Sequence, residues 1–300
     1  MVEGGMVICR PKAIKYKTNA PVTFRLISDL HIGHSGVSYD KIKRELKEAD
    51  ENGDRILING DVFDMIIPSD GKRFVADILH KRLHGKRNIL NEAIKWAVEI
   101  LGPYYSKIDM IGVGNHEASV EKYHSADPVA LLIDAMKSQV PFNPDHKIHH
   151  GGYSGFVDYK LYRTEDKDGK TGGSTRLIIW YHHGYGGSAP VTHGVIDFAR
   201  AGWVNADVKW FGHKHTRMSV QDVAYRCPVS GSKPIREDVR LIRTGSYFET
   251  YHGQSQDSIK SNGRKGSYAA DACMAPQGIG GALLSVTIDR NGKKRLEVTQ

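Results

Sequence analysis

Cysteine is scarce in this chain of 300 residues, and no two cysteines stand close enough to form a CxxC pair. Cys9, Cys227 and Cys273 are odd in number and widely separated. The sequence therefore lacks both a disulfide framework and a set of thiolate ligands. No apolar run reaches the length of a membrane span, and residues 1–10 lack the apolar stretch of a secretory signal. These absences predict a cytoplasmic protein that does not bind membranes.

The composition is otherwise ordinary for a globular protein, with 40% hydrophobic and 25% charged residues. Lysine and arginine number 42 against 34 acidic residues, and the net charge of +8 favours anionic partners. The sequence has no internal repeat and no clear linker, which predicts a single domain over residues 1–300. Residues 251–281 show the weakest pattern of secondary structure and are rich in glycine and serine. We expect a long loop there, either flexible or facing a substrate.

Apolar runs alternate with helical patterns in the first half of the chain. Residues 22–27, 55–59 and 108–113 are typical of strands. A helix is predicted to begin after Ser38 and to stop at Gly53. The second half is richer in strands. This order predicts an α/β fold in which two sheets pack face to face with helices outside, an αββα sandwich.

Caps and turns predict the other elements. Asp127 followed by Pro128 is a strong helix start, because the carboxylate can cap the first turn and proline suits its first position. The remaining elements are predicted over 72–101 (two helices broken near residue 85), 159–163 and 175–181 (antiparallel strands), 195–203 (a helix), 208–211 (a strand), 240–244 (a strand) and 282–298 (a hairpin).

Five short clusters of acidic, amide and histidine side chains each follow a predicted strand. They are, in chain order, Asp29-Leu30-His31, Gly60-Asp61-Val62-Phe63-Asp64, Gly114-Asn115-His116-Glu117, His182-His183-Gly184 and Gly212-His213-Lys214-His215. Residues i and i+2 of an extended chain project from one face, so Asp29 and His31 can point at one ion. The same spacing relates His213 and His215.

The donor types restrict the metal. Mixed oxygen and nitrogen donors suit manganese, iron, zinc or cobalt, whereas calcium would require oxygen ligands alone. The seven candidate ligands are too many for one ion. They predict two ions that share a carboxylate, at a separation of about 3.5–4 Å.

The series of clusters resembles the calcineurin-like metallophosphoesterases, whose pattern is DxH, GDxxD, GNH(D/E), a histidine after a strand, and GHxH. The match extends from Asp29 to His215. The resemblance implies the two-sheet αββα sandwich of the metallophosphoesterase type and a metal-dependent hydrolase of phosphoric esters. We expect two divalent ions as cofactors, with manganese preferred and iron, zinc, cobalt and magnesium as alternatives.

The resemblance also implies a role for each matching residue. The implied metal ligands are Asp29, His31 and His215 on the first ion, Asp61 between both ions, and Asn115, His182 and His213 on the second. His116 would be the catalytic histidine, oriented by Asp64. The fourth cluster offers two adjacent histidines that face opposite ways, and His182 is preferred over His183 because it comes first after the strand.

The expected reaction is attack on a phosphodiester by hydroxide from a water that bridges the two ions. Protonated His116 would donate its proton to the leaving alkoxide. The segment from Ser28 to Gly33 resembles the branch that contains DNA repair exonucleases, which favours a nuclease-like activity on DNA or RNA. Met65 stands where protein serine/threonine phosphatases usually carry arginine, and this disfavours a phosphoprotein substrate.

Two alternatives stay open. One is a phosphodiesterase or phosphatase of small molecules or nucleotides, and the other is a non-catalytic module of the same fold that binds a partner. The basic residues Lys81, Arg82, Lys86 and Arg87 could follow a phosphate backbone or form a solvated helix face. The sequence identifies no protein partner.

Overall fold

Two β-sheets form the centre of the computed structural model, which describes residues 6–64, 79–140, 146–164, 173–187, 194–226, 233–249 and 277–300. The strands of these residues are β1 Val7–Cys9, β2 Ile14–Tyr16, β3 Pro21–Ile27, β4 Arg55–Ile58, β5 Ile108–Ile111, β6 His149–His150, β7 Ser154–Arg163, β8 Ser174–His182, β9 Val208–Phe211, β10 Met218–Arg226, β11 Ile235–Arg243, β12 Ala282–Ile288 and β13 Lys294–Thr299. The α-helices are α1 Tyr39–Asn52, α2 Ile89–Leu101, α3 Asn115–His124, α4 Pro128–Ser138 and α5 Ile196–Arg200.

The order of the strands divides the chain between the two sheets. The six-stranded sheet has the order β13-β12-β3-β4-β5-β6, and the seven-stranded sheet has the order β1-β7-β8-β9-β11-β10, with β2 also pairing with β7. Strands β3, β4 and β5 run parallel, and so do β8, β9 and β11. Helices α1 and α2 supply the crossovers that parallel neighbours require.

Apolar side chains of both sheets meet in one buried layer. Phe24, Leu57 and Met110 contribute from the six-stranded sheet, and Tyr159 and Trp210 contribute from the seven-stranded sheet. The ring centroids of Phe24 and Tyr159 lie 4.8 Å apart across this interface. The two sheets therefore pack face to face, as the sequence predicts.

Helices cover the outer faces. Leu46 of α1, Trp96 of α2 and Leu132 of α4 belong to one buried cluster with the outer side chains of the six-stranded sheet. Phe198 of α5 packs with Trp180 on the outer face of the other sheet. The αββα sandwich predicted from the sequence is confirmed.

The helix ends follow the predicted signals in part. Gly53 ends α1 in the left-handed conformation at φ 75°, and Asp127 accepts the N–H groups of Val129 and Ala130 at the start of α4. Ser38 precedes α1, but its side chain makes no capping hydrogen bond. The closing hairpin has Gly292 at φ 80°, as expected of its turn.

Several boundaries differ from the prediction. Helix α3 was not expected, and α5 is shorter than the predicted 195–203. Within 72–101 the described part has a 3₁₀ turn at Lys81–Leu83 before α2. Residues 72–78, and 251–276 of the predicted long loop, lie outside the described residues. None of the described helices is long and apolar enough to cross a membrane.

The registers of the parallel strands bring the polar clusters to one edge. Ile27 of β3 pairs with Ile58 of β4, and His182 of β8 pairs with Phe211 of β9. Each of these four residues is the last of its strand, so the loops that carry the polar clusters all begin at the carboxyl ends of the strands. In α/β proteins, ligands commonly bind to the loops at the carboxyl ends of parallel strands.

Candidate metal centre

The edges of the two sheets are joined through Asp29. This residue follows β3 in one sheet, and its carboxylate accepts the backbone N–H of His213, which follows β9 in the other. The N···O distances are 3.1 Å to Oδ1 and 3.0 Å to Oδ2. The Asp29 side chain is completely buried. The first and fifth clusters thus form one site although 184 residues separate Asp29 from His213.

The first group of possible ligand atoms comprises Asp29, His31 and His215, and these atoms all lie within 4.8 Å of one another. His215 Nε2 lies 3.4 Å from Asp29 Oδ1. The Nε2 atoms of His31 and His215 face each other at 3.2 Å. Two imidazole nitrogens beside a buried carboxylate are a suitable set of ligands for a metal cation.

The second group comprises Asp61, His183 and His213, again within 4.8 Å. His183 Nε2 lies 3.2 Å from Asp61 Oδ2 and 3.3 Å from the side-chain oxygen of Asn115. The rings of His183 and His213 are 5.4 Å apart. A carboxylate, an amide oxygen and two imidazoles therefore converge here.

Asp61 lies between the two groups. Its Oδ2 atom is 3.2 Å from His183 Nε2 and 3.9 Å from His31 Nε2. Its other oxygen, Oδ1, accepts the backbone N–H of His116 at 3.0 Å. One oxygen is thus fixed by the start of α3, and the other faces histidines of both groups.

His183, and not the preferred His182, belongs to this site. Side chains alternate along β8, so Tyr181 points between the sheets and Trp180 points to the outer face. His182 follows the outer side, where its ring lies 6.0 Å from Trp180 and 6.4 Å from Phe211. His183 follows the inner side and is completely buried. The preference for His182 is therefore corrected to His183.

His116 and Asp64 lie beside these groups. His116 Nδ1 is 3.4 Å from Asp64 Oδ1, and His116 Nε2 is 4.0 Å from Asp61 Oδ2. His31 Nδ1 is 3.6 Å from the same Asp64 oxygen. Asp64 therefore faces two imidazoles, and it can orient His31 as well as His116. His31, Asp64 and His116 form a third group, in which one possible ligand atom of each residue lies within 4.8 Å of the others.

Glu117 organises the site although sequence reasoning gave it no role. Its carboxylate accepts three backbone N–H groups: Asp61 at 3.0 Å, Gly114 at 2.8 Å and Phe63 at 2.9 Å. It is almost completely buried. The available signal was its position three residues after Gly114, which matches the acidic end of a capping box.

The backbone around the site is strained in a consistent way. Five non-glycine residues of the clusters adopt left-handed φ angles, a conformation that L-residues rarely take. They are Asp29 (φ 55°), His31 (φ 44°), Asp61 (φ 47°), His213 (φ 69°) and His215 (φ 55°). Such conformations persist where the surroundings enforce them, and they concentrate at functional sites.

Close backbone approach explains the glycine before Asp61. Gly60 has φ 72°, and a Cβ there would lie 2.5 Å from Gly114 N and 2.7 Å from His183 Nδ1. A Cβ on Gly114 would in turn overlap Asp61. Both glycines are needed for the second and third clusters to meet.

Burial and neighbouring charges act in opposite directions on the acids and bases of the site. Burial disfavours ionised Asp61, but His183 and His116 outweigh it and hold the pKa of Asp61 well below its ordinary value. Burial also disfavours charged His183, yet the Asp61 carboxylate raises the pKa of His183 to about 10. His116 behaves likewise: burial opposes its charge, but Asp61 and Asp64 raise its pKa.

These residues fit divalent metal ions. No lysine or arginine among the described residues forms an ion pair with Asp29, Asp61 or Asp64, so histidines are their only cationic neighbours there. Buried carboxylates are costly unless paired or bound to a metal. The donor set of carboxylate, amide oxygen and imidazole suits manganese, iron or zinc.

No protein-family model and no curated protein matches the chain. Solved structures match most of its length. A conserved uncharacterized protein of Streptococcus pneumoniae TIGR4, described as a predicted phosphoesterase, is 10% identical over 93% of this chain and 99% of that chain, with a TM-score of 0.31. Chaetomium thermophilum Vps29 is 11% identical over 93% and 94%, with a TM-score of 0.31. A metallophosphoesterase from Sphaerobacter thermophilus is 12% identical over 93% and 89%, with a TM-score of 0.30.

The layers and the position of the clusters identify the fold. Two packed sheets with outer helices carry all five clusters at the carboxyl ends of parallel strands or directly after them. They form the two-sheet αββα sandwich that the sequence predicts.

Proposed function

We propose that this protein hydrolyses a phosphodiester with two divalent metal ions. The observation that carries the proposal is the position of Asp61, whose Oδ2 atom faces ligands of both groups. Asp29, His31 and His215 would hold one ion, and Asn115, His183 and His213 would hold the other. Such ions supply positive charge and lower the pKa of a bound water.

His116 would act as the general acid. Its Nδ1 lies beside Asp64, which orients the ring, while its Nε2 is directed at the site. Burial opposes the charge on His116, but without a bound ion Asp61 and Asp64 raise its pKa. In its protonated form the imidazole could donate a proton to a leaving alkoxide. Asp64 is a positioning residue, because it acts through His116.

A nucleic acid is the preferred substrate class in this proposal. The net charge of +8 favours a polyanion. The basic patch at residues 81–87 supports it less than the sequence indicated, because Arg82 pairs with Glu99 and Lys86 Nζ lies 3.9 Å from Glu92. A small phosphodiester is the second candidate, since it needs only the centre itself.

The proposal is tested with bis-p-nitrophenyl phosphate in the presence and absence of Mn²⁺. We expect Mn²⁺-dependent release of p-nitrophenolate, and we expect Asp61→Asn to reduce bound metal and hydrolysis together. Metal binding without turnover of any phosphate ester would instead indicate a binding module.

A parallel panel of DNA, RNA, cyclic nucleotides and a phosphopeptide separates the substrate classes. A polynucleotide substrate should lose affinity steeply with salt, because bound lysine and arginine release counterions from the phosphate backbone. No cleavage of any polynucleotide, with cyclic nucleotides hydrolysed, would assign a small phosphodiester.

A further inference from the structure

A chain of buried hydrogen bonds reaches the Asp29 carboxylate from the other sheet. Trp210 Nε1 donates to Thr244 Oγ1 at 3.0 Å, and Thr244 Oγ1 lies 2.6 Å from Ser28 Oγ. Ser28 Oγ donates to Asp29 Oδ2. All four side chains are completely buried. We call these residues the hydroxyl chain.

The chemistry of the end groups fixes the direction of the hydroxyl chain. An indole N–H can only donate, and an ionised carboxylate can only accept. Ser28 therefore gives its hydrogen to Asp29, and its oxygen must accept from Thr244. Thr244 in turn accepts from Trp210. Every hydrogen bond points towards Asp29.

A competing acceptor among the described residues, the carbonyl oxygen of Phe211, does not change this direction. Thr244 Oγ1 also lies 3.2 Å from the carbonyl oxygen of Phe211, which already accepts the backbone N–H of Thr244 at 3.1 Å. If Thr244 donated to Phe211 alone, two oxygen lone pairs would face each other at 2.6 Å between Thr244 and Ser28. The hydroxyl of Thr244 therefore donates its hydrogen to Ser28 Oγ.

The two oxygens of Asp29 have different surroundings as a result. Both oxygens are in reach of the His213 N–H, but only Oδ2 receives the hydroxyl of Ser28. Oδ1 lies 3.4 Å from His215 Nε2, 3.9 Å from His31 Nε2 and 4.0 Å from His183 Nε2. The hydroxyl chain thus helps the His213 N–H to fix the rotation of the carboxylate, and Oδ1 lies nearest to His215 of the first group. Aligned hydrogen bonds also polarise one another and stabilise the negative charge at their end.

We propose that Thr244, and Trp210 through it, are positioning residues that set the affinity of the ion at Asp29, His31 and His215. This inference rests on the proposed two-ion centre. Residues that orient a metal ligand from behind typically change metal affinity or activity by about 10–100-fold when they are altered.

The test compares Thr244→Val, which keeps the shape but removes the hydroxyl, with Thr244→Ser, which keeps the hydroxyl. Mn²⁺ is titrated into each protein, and free Mn²⁺ is followed by electron paramagnetic resonance. We expect Thr244→Val to weaken one ion by about 10–100-fold and to leave the other unchanged. Thr244→Ser should bind both ions with the affinities of the wild type.

Two tryptophans provide a matched control. Trp210 donates to Thr244, whereas the Nε1 atom of Trp180 is buried without a hydrogen-bond partner among the described residues. Trp210→Phe should therefore weaken one ion, and Trp180→Phe should not. In Trp180→Phe, which keeps Trp210, Zn²⁺ binding should also shift the tryptophan fluorescence emission. In Trp210→Phe this shift should be much smaller. These variants decide the question if Thr244→Val does not fold.

The outcomes separate this inference from the proposed function. Wild-type protein that binds no divalent ion would overturn the centre and the inference together. Two bound ions in the wild type, with equal affinities in folded Thr244→Val, would overturn the inference alone. Equal losses in Trp180→Phe and Trp210→Phe would overturn it as well.

Discussion

Glu117 Oε2 accepts the backbone N–H of Asp61 at 3.0 Å and thereby holds the backbone of Asp61 in place. The same oxygen accepts the N–H of Gly114, so one carboxylate oxygen ties the second cluster to the third. Asp61 has a left-handed φ of 47°, a conformation that requires such support. The geometry of the candidate metal centre thus depends on Glu117, to which the proposed two-ion centre assigns no ion.

Glu117→Gln is expected to weaken metal binding and to destabilise the fold. The amide cannot accept all three N–H groups, because its NH₂ would face at least one donor. We expect a loss of about 1–3 kcal/mol in the free energy of unfolding. Denaturant unfolding and Mn²⁺ titration measure the two effects. Glu121→Gln, an exposed change on the same helix, is the control and should alter neither.

The adjacent histidines at the end of β8, His182 and His183, allow a matched pair of variants. His183→Ala should lose one metal ion, because the ring of His183 lies beside Asp61 and Asn115. His182→Ala should keep both ions, because His182 packs on the outer face near Trp180. Metal content by elemental analysis after gel filtration decides between them. Loss of an ion from His182→Ala alone would reverse the assignment.

His116→Ala should separate metal binding from catalysis. The role of a general acid predicts that both ions stay bound while kcat falls by about 10²–10⁴-fold for a substrate with an alkoxide leaving group. The loss should shrink for p-nitrophenolate, which leaves with little need of a proton. Kinetics on both substrates, with parallel metal analysis, measure this. An empty metal site in His116→Ala would show that His116 is a ligand.

Metal affinity should rise with pH. Without a bound ion, burial opposes the charge on His183 but Asp61 raises its pKa to about 10, so His183 is protonated at neutrality. An ion at this group must displace that proton, and its affinity should rise by up to about tenfold per pH unit below the pKa. Calorimetric titrations in two buffers of different ionisation enthalpy count the protons released. Affinity that is independent of pH, with no proton released, would contradict the prediction.

The sequence by itself determined the fold class and predicted which polar clusters lie at one edge of the sheets. Alternation of strands and helices predicted two covered sheets, and the clusters after 22–27 and 55–59 met because the carboxyl ends of parallel strands share one edge. Such local patterns carry information because side-chain periodicity follows from strand and helix geometry. Helix α3 escaped prediction, since Gly114 has no side chain to cap it and the helix has few apolar residues.

Only the tertiary structure decided between His182 and His183. Both faces of β8 are apolar, because one packs against the other sheet and one against α5, so polarity along the strand does not mark the inner side. Tertiary structure alone likewise brought Thr244 to Ser28 across 216 residues and placed Glu117 beneath Asp61. Such hydrogen bonds join residues that are far apart in the sequence. They depend on how the two sheets pack, and the local sequence pattern does not encode that packing.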